Sequence, residues 1–294
     1  MIGARASIWI NGTRFDSDAA QVSARDRGLT LADGLFETMR AHRGTVFSLD
    51  RHLARLHHGL AVLAIPAPLE IRPWVVEAVR TFGAADASVR LTVTRGPAAA
   101  GVAPPRDART TVIVTVSPMP VFPAAIYDAG LRLQVASGRR NERAETVGLK
   151  TLAYTDAIVA FLAAQREGAD DALFLDTEGH CSEATSSNLF VVTGSELLTP
   201  PVSCAALPGI TRATILELAS RVGVRAAERA FDLPALLGGG EAFLTSSLRG
   251  VAPVVGIDEA VIGDGVPGPV TRRLSAAYAA LVAEQCGTAP SAPA

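Results

Sequence analysis

The chain has almost no lysine. Its 294 residues include 27 lysines and arginines together, and Lys150 is the only lysine among them. Arginine supplies positive charge and binds phosphates or carboxylates, but it keeps its proton in proteins. An amine can lose its proton near neutral pH and condense with a carbonyl group to form a Schiff base. Two interpretations of Lys150 follow: a chance surface residue in an arginine-rich chain, or the amine of a reactive site.

Other absences exclude several classes of protein. The three cysteines, Cys181, Cys204 and Cys286, are far apart and form no CxxC pair, so their spacing predicts neither a disulfide framework nor a metal site. A net charge of -2 gives no electrostatic basis for binding nucleic acid. The first residues contain no apolar signal core, and no apolar run is long enough to span a bilayer. We therefore expect a cytoplasmic protein that does not contact a membrane.

The composition predicts a folded globular protein, because 49% of the residues are apolar and 19% are charged. Three prolines within residues 117–123 predict a stiff, extended connector between two domains. We accordingly expect a small N-terminal domain over 1–119, a linker over 120–127 and a larger domain over 128–287. The last residues, 288–294, are predicted to form a disordered tail.

Local patterns predict a mixture of strands and helices. Residues 7–15 are predicted to form a hairpin, because the apolar run 8–10 precedes the Asn-Gly pair at 11–12, which is the strongest short signal for a hairpin turn. A strand is expected at 45–49, followed by a helix over 51–63 that Asp50 caps. The remaining predicted strands are 34–40, 88–94, 110–117, 131–137, 171–175, 189–192 and 242–244, and the remaining helices are 73–81, 153–167, 211–222 and 269–284.

The predicted strand at 34–40 carries polar side chains on both of its faces. Because alternate side chains of a strand share a face, Phe36, Thr38 and Arg40 lie together and Glu37 lies opposite them. An arginine at this position has two interpretations: it ends a strand at the surface, or it binds a carboxylate with two hydrogen bonds.

A Schiff-base lysine needs a carbonyl compound that also withdraws electrons, and pyridoxal phosphate supplies both properties. Its ring nitrogen withdraws electrons best when a carboxylate keeps it protonated, and Glu183 is a candidate for that carboxylate. Its phosphate suits a helix N-terminus with free N–H groups, such as residues 209–211, together with the hydroxyl groups of 245–247 and a cation such as Arg51. Each feature alone is also consistent with an ordinary turn, helix start or surface residue.

Taken in order, these motifs resemble the class IV (fold-type IV) enzymes that depend on pyridoxal phosphate. The resemblance covers nearly the whole chain, through the segments DRGLTLADGLFETMR, SLDRHLARL, GLKTLAY, DDALFLDTEGHCSEATSSNLF, LPGITRATILELA and LTSSLRGVAPV. The family includes branched-chain aminotransferases, D-amino-acid aminotransferases and aminodeoxychorismate lyases. It implies an α/β (α+β) fold of two domains, in which the smaller is N-terminal and the larger has a barrel-like sheet. It also implies a cofactor at the domain interface and a homodimer.

The resemblance assigns a role to each candidate residue. Lys150 matches the lysine that holds the cofactor as a Schiff base, and Glu183 matches the partner of the ring nitrogen. The positions that match phosphate contacts are Arg51, Ile210, Thr211 and Ser247, with Ser246 adjacent. The positions that match the substrate pocket are Phe36, Thr38 and Arg40, with Ser187 as a further hydroxyl on the substrate side.

The expected reaction moves an amino group between an amino acid or amine and a 2-oxo acid. The alternative is a 4-amino-4-deoxychorismate lyase, which releases pyruvate and 4-aminobenzoate. Thr38 favours the lyase, whereas the segments LPGITR and GPVTRRL favour the aminotransferase. A protein of this fold that binds a ligand without turnover is a third class, and the presence of both Lys150 and Glu183 argues against it. The amino donor and its stereochemistry stay open.

Overall fold

The computed structural model of the chain describes residues 6–16 and 18–287. These residues form helices and strands that divide into two compact units. Of the described residues, the first unit contains 6–16, 18–120, 149–153 and 282–287, and the second contains Val121–Gly148 and Tyr154–Leu281. The expected α/β class is confirmed, whereas the predicted boundaries of the functional domains stay a prediction. The predicted tail at 288–294 lies outside the described residues.

The first unit is built on an antiparallel sheet of six strands. Its strands are β1 (Ser7–Ile10), β2 (Thr13–Asp16), β3 (Gly34–His42), β4 (Thr45–Val46), β5 (Asp86–Thr94) and β6 (Thr111–Pro118). Their order across the sheet is β2-β1-β6-β5-β3-β4. The helices are α1 (Arg27–Leu31), α2 (Leu49–Val62) and α3 (Ile71–Phe82).

One face of this sheet packs against helices α2 and α3. In β3, Leu35 and Met39 point into that core, where they join Leu56 of α2 and Val75 of α3. Because the side chains of a strand alternate, Phe36 and the other residues on its face of β3 point away from the two helices. This orientation agrees with the two faces that the sequence predicts for β3.

Residues with positive φ angles explain why the predicted hairpin at 11–12 is confirmed and why the predicted strand at 45–49 is shorter than expected. Asn11 and Gly12 have φ angles of 47° and 80°, so the predicted hairpin between β1 and β2 is confirmed. The predicted strand at 45–49 is wrong in its second half, because Ser48 takes a left-handed conformation with φ of 52° and α2 begins at Leu49. Asp50 accordingly lies within the first turn of the helix and is not its N-cap.

The second unit contains nine strands and most of the helices. Its strands are β7 (Leu131–Arg140), β8 (Asp171–Asp176), β9 (Cys181–Ala184), β10 (Asn188–Thr193), β11 (Glu196–Thr199), β12 (Arg225–Glu228), β13 (Glu241–Ser246), β14 (Gly250–Ile257) and β15 (Ala260–Val261). Its helices are α4 (Ala125–Asp128), α5 (Thr155–Arg166), α6 (Ile210–Arg221), α7 (Leu233–Leu237) and the first part of α8 (Pro269–Gly287).

Six of these strands close into a barrel. The path β10-β13-β14-β7-β8-β9 returns to β10 through the pair of Asn188 with Glu183. One core joins apolar residues from around the ring, including Leu133, Leu173 and Leu244. The barrel-like sheet that the family resemblance implies is therefore confirmed. Among the described residues, no helix has the length and hydropathy needed to cross a membrane.

Candidate active site

Lys150 lies in a short segment, 149–153, that is bound to the start of β3. The backbone N–H of Phe36 donates to the carbonyl of Lys150 at 3.0 Å, and the N–H of Leu152 donates to the carbonyl of Gly34 at 3.1 Å. The Nζ atom of Lys150 lies 4.6 Å from the centroid of the Phe36 ring. Backbone bonds thus hold the amine over the face of β3 that the α2–α3 core does not cover.

The face of β3 that carries Phe36 also carries Thr38 and Arg40, as predicted. A second arginine joins them, because Arg90 of β5 pairs with Thr38 across the sheet. The guanidinium carbon of Arg90 lies 3.9 Å from the Phe36 centroid, so the ring lies near both Arg90 and Lys150. Arg90 was not predicted from the sequence, although an arginine that alternates with apolar residues in a predicted strand was a usable signal.

On the opposite face of β3, Glu37 forms a buried network with helix α2. Its side chain is 1% exposed, and it accepts a hydrogen bond from His52 Nδ1 at 2.7 Å. Arg55 donates to both carboxylate oxygens, at 2.8 Å and 2.6 Å. Arg51, the predicted phosphate cation, is exposed on the same helix. The guanidinium of α2 that joins this network is therefore that of the partly buried Arg55, which was not predicted from the sequence.

The network lowers the pKa of both of its titrating groups, Glu37 and His52. Burial alone raises the pKa of Glu37, but the hydrogen bonds and charges of His52 and Arg55 outweigh it, so the pKa of this carboxyl is lowered. Burial also lowers the pKa of His52; the bond to Glu37 opposes this, while the charges of Arg55 and Lys150 add to it. At neutral pH, we therefore expect an ionised Glu37 beside a neutral His52.

The stability of the protein is expected to fall as the pH decreases from 7. Below the ordinary pKa of histidine, 6.5, the unfolded chain takes up a proton that folded His52 resists, so unfolding becomes more favourable. Below pH 4.5, the ordinary pKa of glutamate, Glu37 lowers the stability further, because its pKa is lower in the folded state than in the unfolded chain. Urea unfolding at a series of pH values measures both losses.

The matched variants for this experiment are His52→Gln and His57→Gln. His57 is an exposed histidine of the same helix, so its replacement leaves the buried network intact. His52→Gln should reduce the change in unfolding free energy near pH 6.5, and His57→Gln should preserve it. An identical pH dependence in both variants contradicts the assignment of this change to His52.

In the second unit, a loop and a neighbouring strand fix the carboxylate of Glu183. Its Oε2 atom accepts hydrogen bonds from the backbone N–H of Leu207 at 2.9 Å and from Asn188 Nδ2 at 3.1 Å. Its Oε1 atom lies 3.7 Å from a guanidinium nitrogen of Arg140. The side chain of Glu183 is 13% exposed. The arrangement presents an oriented carboxylate with a cation beside it.

Helix α6 begins with N–H groups that have no side-chain cap among the residues that the structure describes. The N-cap residue is Gly209, which has no side chain that could accept a hydrogen bond. The next two residues, Ile210 and Thr211, are buried. A Cβ atom at position 209 would lie 1.9 Å from Asn188 Oδ1, so the close approach of these two segments requires glycine. The free N–H groups and the positive end of the helix dipole suit a phosphate group.

Three hydroxyl groups lie at the same end of the barrel as Glu183. Asn188 pairs with Glu183 on one side and with Thr245 on the other, and these three residues form one row across the sheet. Ser187 precedes Asn188 and Ser246 follows Thr245, so each lies one residue from this row. The hydroxyl of Ser187 is buried and has no hydrogen-bond partner among residues 6–16 and 18–287. Ser247 follows in the turn that the pair of Ser246 with Gly250 closes.

Within each unit, most of the predicted site residues therefore lie near one another. The first unit brings Lys150 to the face of Phe36, Thr38 and Arg40, and it leaves Arg51 exposed on α2. In the second unit, the row that contains Glu183 runs beside Ser187 and Ser246. The residue that links this row to the start of α6 is Asn188.

The chain matches a known family over most of its length. The model of the amino-transferase class IV family matches residues 34–257, which is most of the chain. The chain belongs to the class IV aminotransferase family. The matched region begins at Gly34, the first residue of β3, and it includes every predicted site residue from Phe36 to Ser247.

Individual members of the family are similar over nearly their full length. The putative branched-chain-amino-acid aminotransferase of Methanocaldococcus jannaschii is 35% identical over 271 residues, or 91% of this chain and 93% of that protein. The 4-amino-4-deoxychorismate lyase of Pseudomonas aeruginosa has a TM-score of 0.84 and 35% identity, over 92% of this chain and 97% of the lyase. The T.th. branched-chain amino acid aminotransferase with pyridoxamine 5'-phosphate has a TM-score of 0.88 and 29% identity, over 97% of this chain and 96% of that enzyme.

Proposed function

We propose that this class IV family member is an aminotransferase that moves the amino group of a branched-chain amino acid to a 2-oxo acid. The observation that carries the proposal is the position of Lys150, whose amine lies 4.6 Å from the centroid of the Phe36 ring, on the face of β3 opposite the α2–α3 core. Phe36 offers an apolar surface to an aliphatic side chain, and arginines on the same face suit a carboxylate. The likeness to branched-chain aminotransferases over nearly the whole chain supports the choice of donor.

The cofactor of the proposed reaction is pyridoxal 5'-phosphate. The uncapped start of α6 fits its phosphate, and the unpartnered hydroxyl of Ser187 and the oriented carboxylate of Glu183 fit a polar ligand. A relative of 29% identity contains the pyridoxamine form of this cofactor. When bound, the cofactor supplies an aldehyde for the Lys150 amine and a ring that withdraws electrons from the reacting carbon.

In the proposed reaction, residues of the chain transfer protons and bind the cofactor and the donor. Lys150 removes the proton from the α-carbon of the donor as a general base and later returns a proton as a general acid. Glu183 holds a proton on the ring nitrogen. The phosphate is bound by backbone and hydroxyl groups of Ile210, Thr211, Ser246 and Ser247, with a guanidinium from Arg51. The donor is bound by Phe36, Thr38, Arg40 and Ser187.

A lyase that acts on 4-amino-4-deoxychorismate is the second candidate. It is favoured by the 35% identity with the lyase of Pseudomonas aeruginosa and by the threonine at position 38. Such a lyase would use the same lysine as base and the same carboxylate, but it would release pyruvate. The two functions therefore differ in their products and not in their cofactor.

The deciding experiment mixes the purified, cofactor-loaded protein with single substrates. The set contains L-leucine, L-alanine, D-alanine, L-glutamate, (R)-1-phenylethylamine and 4-amino-4-deoxychorismate. The proposal predicts that L-leucine converts the cofactor to its pyridoxamine form, which has a different absorbance. If no amino donor changed the absorbance of the cofactor and 4-amino-4-deoxychorismate released pyruvate, the protein would be the lyase.

Replacing Arg40 by alanine is expected to raise KM for the amino donor and leave the cofactor bound. A charged hydrogen bond contributes about 1.5 to 3 kcal/mol, which corresponds to a KM increase of roughly tenfold to hundredfold. Steady-state kinetics measures the change. The matched control is Arg80→Ala, which removes an exposed arginine from α3 of the same unit. Equal KM values for the two variants would remove Arg40 from the substrate site.

We also propose that the protein is a cytoplasmic homodimer that acts on small molecules. Helix α5 supports self-association, because Ile158, Val159 and Leu162 are 56%, 63% and 46% exposed. These three residues lie at the i, i+1 and i+4 positions and so share one side of the helix. Sedimentation equilibrium at several protein concentrations tests the proposal, and a monomer throughout would contradict it.

A further inference from the structure

Three side chains with metal-ligand chemistry meet in the second unit, outside the residues assigned to transamination. Asp176 ends β8, His180 immediately precedes β9, and Cys204 ends a 3-10 turn over Val202–Cys204. One ligand atom from each, a carboxylate oxygen, a ring nitrogen and the thiol sulfur, lies within 4.8 Å of the other two. Because Cys204 is far from His180 along the chain, no spacing pattern in the sequence reveals this cluster.

The backbone fixes the positions of these three residues. The Oδ1 atom of Asp176 accepts hydrogen bonds from the backbone N–H groups of Glu178 at 3.0 Å and His180 at 2.8 Å. These bonds shape the turn between β8 and β9 and leave Oδ2 for the side chain of His180, whose Nδ1 lies 3.1 Å away. The N–H of Cys204 donates to the carbonyl of Pro201 at 3.0 Å. The cluster is thus assembled on ordered backbone.

The spacing of the ligand atoms is close to that of a zinc site. Zinc binds sulfur at about 2.3 Å and nitrogen or oxygen at about 2.0 to 2.2 Å, so tetrahedral ligands lie roughly 3.3 to 3.8 Å from each other. A separation of at most 4.8 Å requires only small side-chain rotations to reach this range. The set of one sulfur, one nitrogen and one oxygen suits zinc and excludes the hard cations magnesium and calcium, which prefer oxygen alone.

Burial and charge also suit a cation. Asp176 and Cys204 are 1% and 3% exposed, whereas the side chain of His180 is 37% exposed and leaves a route for an ion and a water ligand. Two further carboxylates lie near this turn, because Glu142 accepts hydrogen bonds from the N–H and the hydroxyl of Thr177 and Glu178 belongs to the turn itself; Arg143 pairs with both of them. Several negative groups around a buried thiol favour a divalent ion at this position.

We propose that Asp176, His180 and Cys204 bind one zinc ion, with water as the fourth ligand. The ion connects the turn before β9 to the loop that leads to α6. Glu183 lies on β9, and the backbone N–H of Leu207 in that loop binds its carboxylate. The zinc ion therefore braces both segments that orient Glu183. The proposal does not depend on the amino donor or on the reaction proposed above.

Cobalt(II) is the probe for this site, because it occupies zinc sites and a thiolate ligand gives it an intense near-ultraviolet absorbance. The cofactor-loaded protein is treated with a chelator, dialysed and titrated with cobalt(II) and, separately, with zinc(II) by calorimetry. We expect one equivalent of each ion to bind, with the thiolate absorbance present. Cys204→Ser should lose the absorbance and bind zinc at least about tenfold more weakly, since even the loss of an outer-shell partner has effects of this size.

Two further variants keep the test decisive. Cys286→Ser replaces a buried cysteine outside the cluster and should retain both the absorbance and the affinity. His180→Asn changes the more exposed ligand, and it should weaken zinc binding while the thiolate absorbance persists. Absence of the cobalt–thiolate absorbance in the unmodified protein, or its persistence in Cys204→Ser, overturns the proposal and leaves a turn held by hydrogen bonds.

Discussion

Lys150→Ala is expected to abolish turnover and to eliminate the visible absorbance that the cofactor acquires when its aldehyde is bound to a lysine. No other lysine in the chain can replace the amine, because Lys150 is the only one. The loss of proton transfer alone should lower kcat by about 10²- to 10⁴-fold, and the loss of the covalent attachment adds to it. Absorbance spectra and single-turnover kinetics with the amino donor measure the two effects separately.

The variant should fold, since the contacts that fix this segment are made by its backbone. The hydrogen bonds from Phe36 to the carbonyl of Lys150 and from Leu152 to Gly34 do not involve the lysine side chain. Lys150→Arg is the matched control, because it keeps the positive charge near the Phe36 ring and removes the amine. If the arginine variant turned over normally, Lys150 would contribute charge and not chemistry, and the proposed function would fail.

The features that the sequence predicted well are determined by neighbouring residues. The hairpin at Asn11 and Gly12 follows from two residues that tolerate positive φ angles, and the faces of β3 follow from the alternation of Phe36 and Glu37. The role of Lys150 stays a prediction, which rests on the rarity of lysine in the chain and on the motif around it. The hairpin and the two faces of β3 each need only a few consecutive residues.

The features that the sequence did not predict depend on distant contacts. The barrel depends on strand pairs that join remote parts of the chain, such as Val254 of β14 with Leu131 of β7, and no local pattern encodes these pairs. The buried partners of Glu37, His52 and Arg55, come from a helix that packs against its strand. A single helix offers both Arg51 and Arg55, and only tertiary packing determines which of the two is buried.

Glu183→Gln is expected to lower kcat by about 10²- to 10³-fold, the usual effect of removing one preorganised electrostatic contact from a reaction centre. Glutamine has the same shape but no charge, so it cannot hold a proton on the ring nitrogen of the cofactor. Its side-chain oxygen can still accept the hydrogen bonds from Leu207 and Asn188 that position the carboxylate. The proposed phosphate contacts do not involve Glu183, and the variant should therefore keep its cofactor.

Asn188→Ala separates the charge of Glu183 from its orientation. This variant removes two hydrogen bonds of the Asn188 amide, one to Glu183 at 3.1 Å and one to the carbonyl of Leu207 at 2.8 Å, and it keeps the charge of Glu183. A neutral hydrogen bond contributes about 0.5 to 1.5 kcal/mol, and one to a charged group about 1.5 to 3 kcal/mol, so kcat should fall less than in Glu183→Gln. Steady-state kcat for the amino donor in both variants, with cofactor content measured in parallel, tests this order. A normal kcat in Glu183→Gln would show that the ring nitrogen needs no carboxylate, and the proton would then have to be held by another group.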